Sequence, residues 1–206
     1  MLRFDRLHKA YGAKRVLRNI SRHLPRGAYS LRGPNGIGKS TLLAVLAGAV
    51  DADSGEVWIA GEPLHDAPAA AKARLAYVPD ECPVYPFMTG RELLAFVAYA
   101  KGCALAPEVM AIASRFGLDV HLDTRFGEMS LGTQKKTMLT AAWIGAPAVL
   151  LLDEPSNGLD AAARVTLIEL LGAKCADGVV FISTHDHDFA LAIGAEVIEF
   201  ADLAAD

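Results

Sequence analysis

Gly33-Pro34-Asn35-Gly36-Ile37-Gly38-Lys39-Ser40-Thr41 fits the pattern G-x-x-x-x-G-K-[ST] at every constrained position. Three glycines free the backbone to turn successive N–H groups inward around a polyphosphate. Lys39 adds a positive charge for the terminal phosphates, and Ser40 offers a hydroxyl to Mg²⁺. Thr41 and the apolar run Leu42, Leu43, Val45, Leu46 start a helix whose N-terminal dipole faces the same anion. Ala28 to Arg32 precedes the loop as a short strand, which completes the strand, loop, helix order that a phosphate cradle requires.

The bulk composition is compatible with this reading. A chain of 206 residues holds one substantial core, and 52% hydrophobic with 21% charged residues excludes a disordered chain. A net charge of −4, from 20 basic and 24 acidic residues, gives no basic excess, so no nucleic-acid partner is expected. Cys82, Cys103 and Cys175 lie far apart and form neither a zinc pattern nor a disulfide framework, which suits a reducing cytoplasm. The longest uncharged run, Thr137 to Leu152, has about 16 residues, contains Gly145 and Pro147, and falls short of the ~18 needed to span a bilayer. Met1 leads directly into a strand, so no signal peptide is expected.

Along the chain, Leu2 to Ala10 alternates as a half-buried strand, ends at a Tyr11-Gly12 turn, and is followed by a second strand, Val16 to Leu24. Tyr11 either stacks on a purine or packs as a turn tyrosine on the sheet edge. A turn at Asp53-Ser54-Gly55, a strand Glu56 to Ala60, a helix Pro68 to Arg74 and a strand Leu75 to Val78 come next. Pro83 to Met88, with Tyr85 and Phe87, is an apolar loop, either buried or a docking surface. Thr89 and Glu92 form a capping box for a helix that runs to Lys101, and Pro107 to Phe116 is a second helix. Ser130 to Lys136 precedes a helix expected over Thr137 to Ile144. Ala148 to Leu152 is a strand buried on both faces, and it ends in Asp153 and Glu154 where open α/β sheets bind ligands. Helix Ala161 to Lys174 and strand Val179 to Ser183 follow, and a helix Ala190 to Ile193 with a strand Val197 to Phe200 closes the domain.

Two further motifs sharpen the picture: Ser130-Leu131-Gly132 before a helix, and Leu152-Asp153-Glu154-Pro155-Ser156-Asn157-Gly158-Leu159-Asp160 with His185 25 residues later. Their order and spacing resemble the signature, Walker B, D-loop and switch-histidine motifs of ATP-binding cassette transporter subunits. The resemblance covers nearly the whole chain. It implies an α/β fold: a P-loop NTPase core with a parallel sheet, an antiparallel N-terminal β-subdomain, and a helical subdomain at about 83–136 inserted in a single domain, 1–206. It implies ATP and Mg²⁺ as cofactors. The ATP site would be formed by Tyr11, the loop residues Gly33, Pro34, Asn35, Gly36, Ile37, Gly38, Lys39, Ser40 and Thr41, and Asp80. Ser40, Asp80 and Asp153 would serve the metal, Glu154 would act as general base, and His185 would bind the γ-phosphate.

By the same resemblance, Ser130 and Gly132 contact the γ-phosphate held by an opposing subunit, and Asp160 lies at the dimer seam. The implied partners are a second copy or related subunit in a head-to-tail dimer and a separate transmembrane permease. The implied location is cytoplasmic, peripheral on the cytoplasmic face of the inner or plasma membrane. Asp80 departs from the family's glutamine, and Leu131 and Thr133 depart from its Gly and Gln; an active ATPase is expected nonetheless. A soluble cassette ATPase outside transport is the competing reading. A GTP switch protein would need an Asn-Lys-x-Asp segment, which the chain lacks. His187, two residues past His185, is read as a surface residue rather than a metal ligand.

Overall fold

Period-two burial in the N-terminal third builds one sheet, and runs of continuous burial in the rest build another. The computed structural model describes residues 1–203. Strands β1 (Leu2–Tyr11), β2 (Lys14–Leu24) and β3 (Gly27–Arg32) lead to helix α1 (Lys39–Leu46). Strands β4 (Ser54–Ile59) and β5 (Glu62–Pro63), helix α2 (Pro68–Ala73) and strand β6 (Leu75–Val78) follow. Helices α3 (Gly90–Ala100), α4 (Pro107–Arg115) and α5 (Leu131–Ala141) come before β7 (Val149–Asp153), α6 (Ala161–Lys174), β8 (Val179–Ser183), α7 (His187–Ala192) and β9 (Glu196–Glu199).

An antiparallel sheet has the order β2-β1-β4-β5, and a five-stranded sheet of parallel pairings has the order β6-β7-β8-β3-β9. All residues of β7 and β8 are buried, because the parallel sheet is covered on both faces. Alternation sorts them. Val149, Leu151, Val179 and Phe181 join α1 and the antiparallel sheet in one apolar cluster, while Leu150, Leu152, Val180 and Ile182 join the helices of the opposite face in another.

The expected α/β architecture is therefore present, with local corrections. Helix α5 starts at Leu131, six residues before the expected Thr137, and ends at Ala141. The polar run Gly132 to Lys136 has little apolar periodicity, yet the Ser130 side chain accepts from Thr133 N and caps it as a helix. Helix α7 likewise begins at His187, because Asp186 accepts from Phe189 N at 2.8 Å. Lys39 and Ser40 lie inside the first turn of α1, and β4 absorbs Ser54 and Gly55, which had been expected in the preceding turn. The Thr89 and Glu92 capping box forms in both directions.

The loop 83–88 divides by residue. Val84 and Met88 pack against Leu93, Phe126 and Met129, whereas Tyr85 and Phe87 are 67% and 69% exposed with their rings stacked 5.4 Å apart. Among the described residues, no helix is long and apolar enough to cross a membrane.

Candidate functional site

The loops that leave β3, β6, β7 and β8 all lie at the C-terminal end of the parallel strands, so the residues they carry converge. A cleft of about 540 Å³ opens there, lined by Tyr11, Asn35, Gly36, Gly38, Lys39, Ser40, Thr41, Asp80, Asp153, Glu154 and His185. Gly38 shows why this loop cannot carry a side chain there. Its φ is +125°, and an added Cβ would stand 2.7 Å from Val16 Cγ1 and 3.1 Å from the Phe200 ring. Lys39 is buried, and its ammonium donates to the carbonyl oxygens of Gly33 (2.7 Å) and Pro34 (3.2 Å), within the loop that would embrace a phosphate.

At the exit of β7, Asp153 is buried and accepts a hydrogen bond from the Ser183 hydroxyl on neighbouring β8. Glu154 follows with φ +44°, a left-handed conformation that costs on the order of 1–3 kcal/mol in a residue other than glycine. Glu154 accepts from His185 N at 3.3 Å, and its Oε1 lies 3.5 Å from His185 Nε2. Burial pushes the Glu154 carboxyl above the usual carboxylate range, and the His185 backbone N–H opposes that shift. A carboxylate made more basic and facing a polar cleft is suited to accept a proton from water.

Ser40, Asp153 and Asp80 supply hydroxyl and carboxylate oxygens to the same cleft. Hard oxygen donors, few in number and beside a phosphate loop, fit Mg²⁺, which retains most of its waters. The Asp80 carboxylate accepts from Asn157 Nδ2 at 3.2 Å and lies 3.7 Å from the Lys135 ammonium. Tyr11 is 52% exposed at the cleft rim rather than packed on the sheet edge, with Lys9 Nζ 5.5 Å from its ring centroid.

Other expected residues stand outside the cleft lining. Gly33, Pro34 and Ile37 belong to the loop but are not among the residues that line the cleft. Ser130 and Gly132 lie at the N-terminus of α5, and Leu131 between them is 79% exposed. Gly132 is fixed by close approach: an added Cβ would be 2.6 Å from the Gly158 carbonyl oxygen. Asp160 caps α6 through Ala163 N at 2.8 Å and pairs with Lys136 at 2.8 Å, which holds its carboxyl below the usual range. His187 is the exposed first residue of α7. The structure also adds Lys14, Val16, Asn157 and Ser183 to the cleft, residues without a motif signal of their own except Asn157, which lies within the stretch 152–160.

Comparison with known proteins bears on this arrangement. A family model described as ABC transporter matches residues 17–157. The Nod factor export ATP-binding protein I of Paraburkholderia xenovorans is 36% identical over 192 residues, covering 89% of this chain and 62% of that protein. The linearmycin resistance ATP-binding protein of Bacillus subtilis is 31% identical over 191 residues, covering 89% and 60%. A solved structure of the ATP-binding subunit of an ABC transporter superposes with a TM-score of 0.84 at 29% identity, covering 92% of this chain and 81% of that one. The chain thus spans about three-fifths of the length of the curated relatives it matches.

Proposed function

The chain belongs to the ABC transporter family, and from that premise we propose that it binds and hydrolyses ATP as the motor subunit of a membrane transporter. The observation that carries this reading is the convergence of the phosphate loop, Asp153, Glu154 and His185 on one cleft. In this reading residues 83–136 form a helical subdomain, and two subunits pair head to tail with ATP between the phosphate loop of one and the Ser130 to Gly132 segment of the other. The chain then sits on the cytoplasmic face of a membrane, against a separate spanning subunit.

This reading gives each residue of the cleft a role. The loop backbone and Lys39 would hold the β- and γ-phosphates, and Ser40 with Asp153 and Asp80 would hold Mg²⁺, which would supply positive charge to offset that of the phosphates. Glu154 orients the attacking water and takes its proton, and His185 bridges Glu154 to the γ-phosphate. Little covalent chemistry is asked of the protein, so positioning and charge carry the rate. Tyr11 supplies a ring for the adenine.

The link to the membrane subunit starts at Tyr85 and Phe87. Their loop is hydrogen-bonded to the segment before α5, through Gly127 N to Pro86 O (2.9 Å) and Phe126 N to Met88 O (2.8 Å). Gln134 Nε2 then donates to Phe126 O at 2.7 Å. These bonds tie the loop that carries the exposed aromatic pair to the helix that carries Ser130. The relative named for Nod factor export favours outward movement of the cargo.

Glu154→Gln keeps the side chain's size and removes its basicity, so ATP is bound without being consumed. Tagged Glu154→Gln protein, purified with ATP and Mg²⁺ from detergent-solubilised host membranes, is expected to carry a multi-spanning protein in fixed stoichiometry. Recovery of a soluble partner alone refutes the transporter reading and supports a cassette ATPase outside transport.

A further inference from the structure

Lys135 lies on α5, five residues beyond Ser130, with only 4% of its side chain exposed. Its ammonium donates to the carbonyl oxygens of Pro79 (3.0 Å), Asp80 (3.1 Å) and Asp153 (3.2 Å). It also lies 3.7 Å from the Asp80 carboxylate. A buried ammonium without acceptors is strongly disfavoured, and three carbonyls match its three N–H donors. Those carbonyls come from two strand exits, the Pro79-Asp80 loop after β6 and the end of β7, so one side chain on α5 fastens both. The same ammonium is the near counter-charge for Asp80, whose other neighbour is the neutral Asn157 amide. Without it, Asp80 would face a cleft that already holds Asp153, Glu154 and, in use, a polyphosphate.

We propose that Lys135 is a positioning residue for this cleft. It offsets the Asp80 charge, so that the carboxylate can stay directed at the bound nucleotide, and it joins the helix carrying Ser130 to the strand exits carrying Asp80 and Asp153. The proposal rests on the ATP-hydrolysing reading for its kinetic consequence and on geometry alone for the fastening.

The test uses wild type, K135M, K135R, D80Q and the double variant D80Q/K135M. ATPase rates are measured across ATP concentrations, and amide hydrogen exchange over residues 79–82 is measured without nucleotide. K135M is expected to lower kcat about tenfold or more with KM within about twofold, and K135R to recover most of that loss. In the D80Q background the K135M loss is expected to shrink to about threefold or less, because no carboxylate remains to be offset. Exchange at 79–82 should speed up in K135M. Equal losses in both backgrounds, wild-type kcat in K135M, or unchanged exchange at 79–82 overturns the proposal. Should K135M fail to fold, K135Q carries the same comparisons with the same readings. A wild-type chain that binds ATP without hydrolysing it overturns the motor reading, and the exchange comparison then decides Lys135 independently.

Discussion

The phosphate cleft and the Ser130 to Gly132 segment are read from motifs of the same family, yet they look entirely different in the folded chain. In the cleft, Lys39 and Asp153 are buried, Glu154 holds a left-handed backbone, and donors and acceptors from four strand exits meet. At the other segment a hydroxyl caps its own helix, Leu131 points into solvent, and Gly132 closely approaches Gly158. The difference teaches that residues serving a site within one chain are recognised by convergence. On the proposed reading Ser130 and Gly132 serve a site on another chain, and in this chain they present as an exposed helix terminus.

Mixing two inactive variants is the most direct way to break that comparison. Lys39→Ala disables the cleft, and Ser130→Glu places a carboxylate where an opposing γ-phosphate would lie. Each alone is expected to lose about 100-fold or more of the ATPase rate. Mixed in equal amounts, half the dimers carry one complete composite site, so roughly a quarter of the wild-type rate should return. A mixture as inactive as its components would show that the two segments do not complement each other across chains.

The legibility of the sequence follows the same division. Strand β8 and helix α6 fall on their expected bounds, since four continuous apolar residues ending in Ser183 and an Asp-capped helix leave little choice. The early start of α5 was hidden because polar residues fill its first turns, and only the cap at Ser130 marks it. Motif spacing brought Lys39, Asp80, Asp153, Glu154 and His185 forward, and the fold places them in one cleft. Ser183 was out of reach, because its role depends on β8 lying beside β7 in register with Asp153. The left-handed turn at Glu154 and the burial of Lys135 were equally hidden, as both arise from long-range packing.

A smaller effect sharpens the comparison inside the cleft itself. Tyr11 shares the cleft with Lys39 but stands half in solvent, like the residues of the opposing segment. One stacked ring at an exposed rim contributes on the order of 1 kcal/mol. Tyr11→Ala is therefore expected to raise the KM for ATP about fivefold with kcat little changed, while Tyr11→Phe should stay within about twofold of wild type. A loss confined to kcat would place Tyr11 among the residues that act on the phosphates rather than on the base.

The smallest expected effect needs no nucleotide and reads only the buried half. Burial raises the folded-state pKa of Glu154 above its unfolded value, near 4.3, against the pull of the His185 N–H. Between the two values the folded chain holds a proton that the unfolded chain has released, so this group's contribution to stability is complete below the unfolded pKa and is lost as pH rises through the folded one. The ionised carboxylate thus weakens the fold at neutral pH, and Glu154→Gln, which resembles the protonated form, removes the penalty. The variant is expected to melt about 2 °C above wild type at pH 7.5, with the gap closing as pH falls toward 4. A variant less stable than wild type at neutral pH would mean that the His185 contacts outweigh burial. Glu154 would then be a structural tie between β7 and β8 rather than a strained base held ready for water.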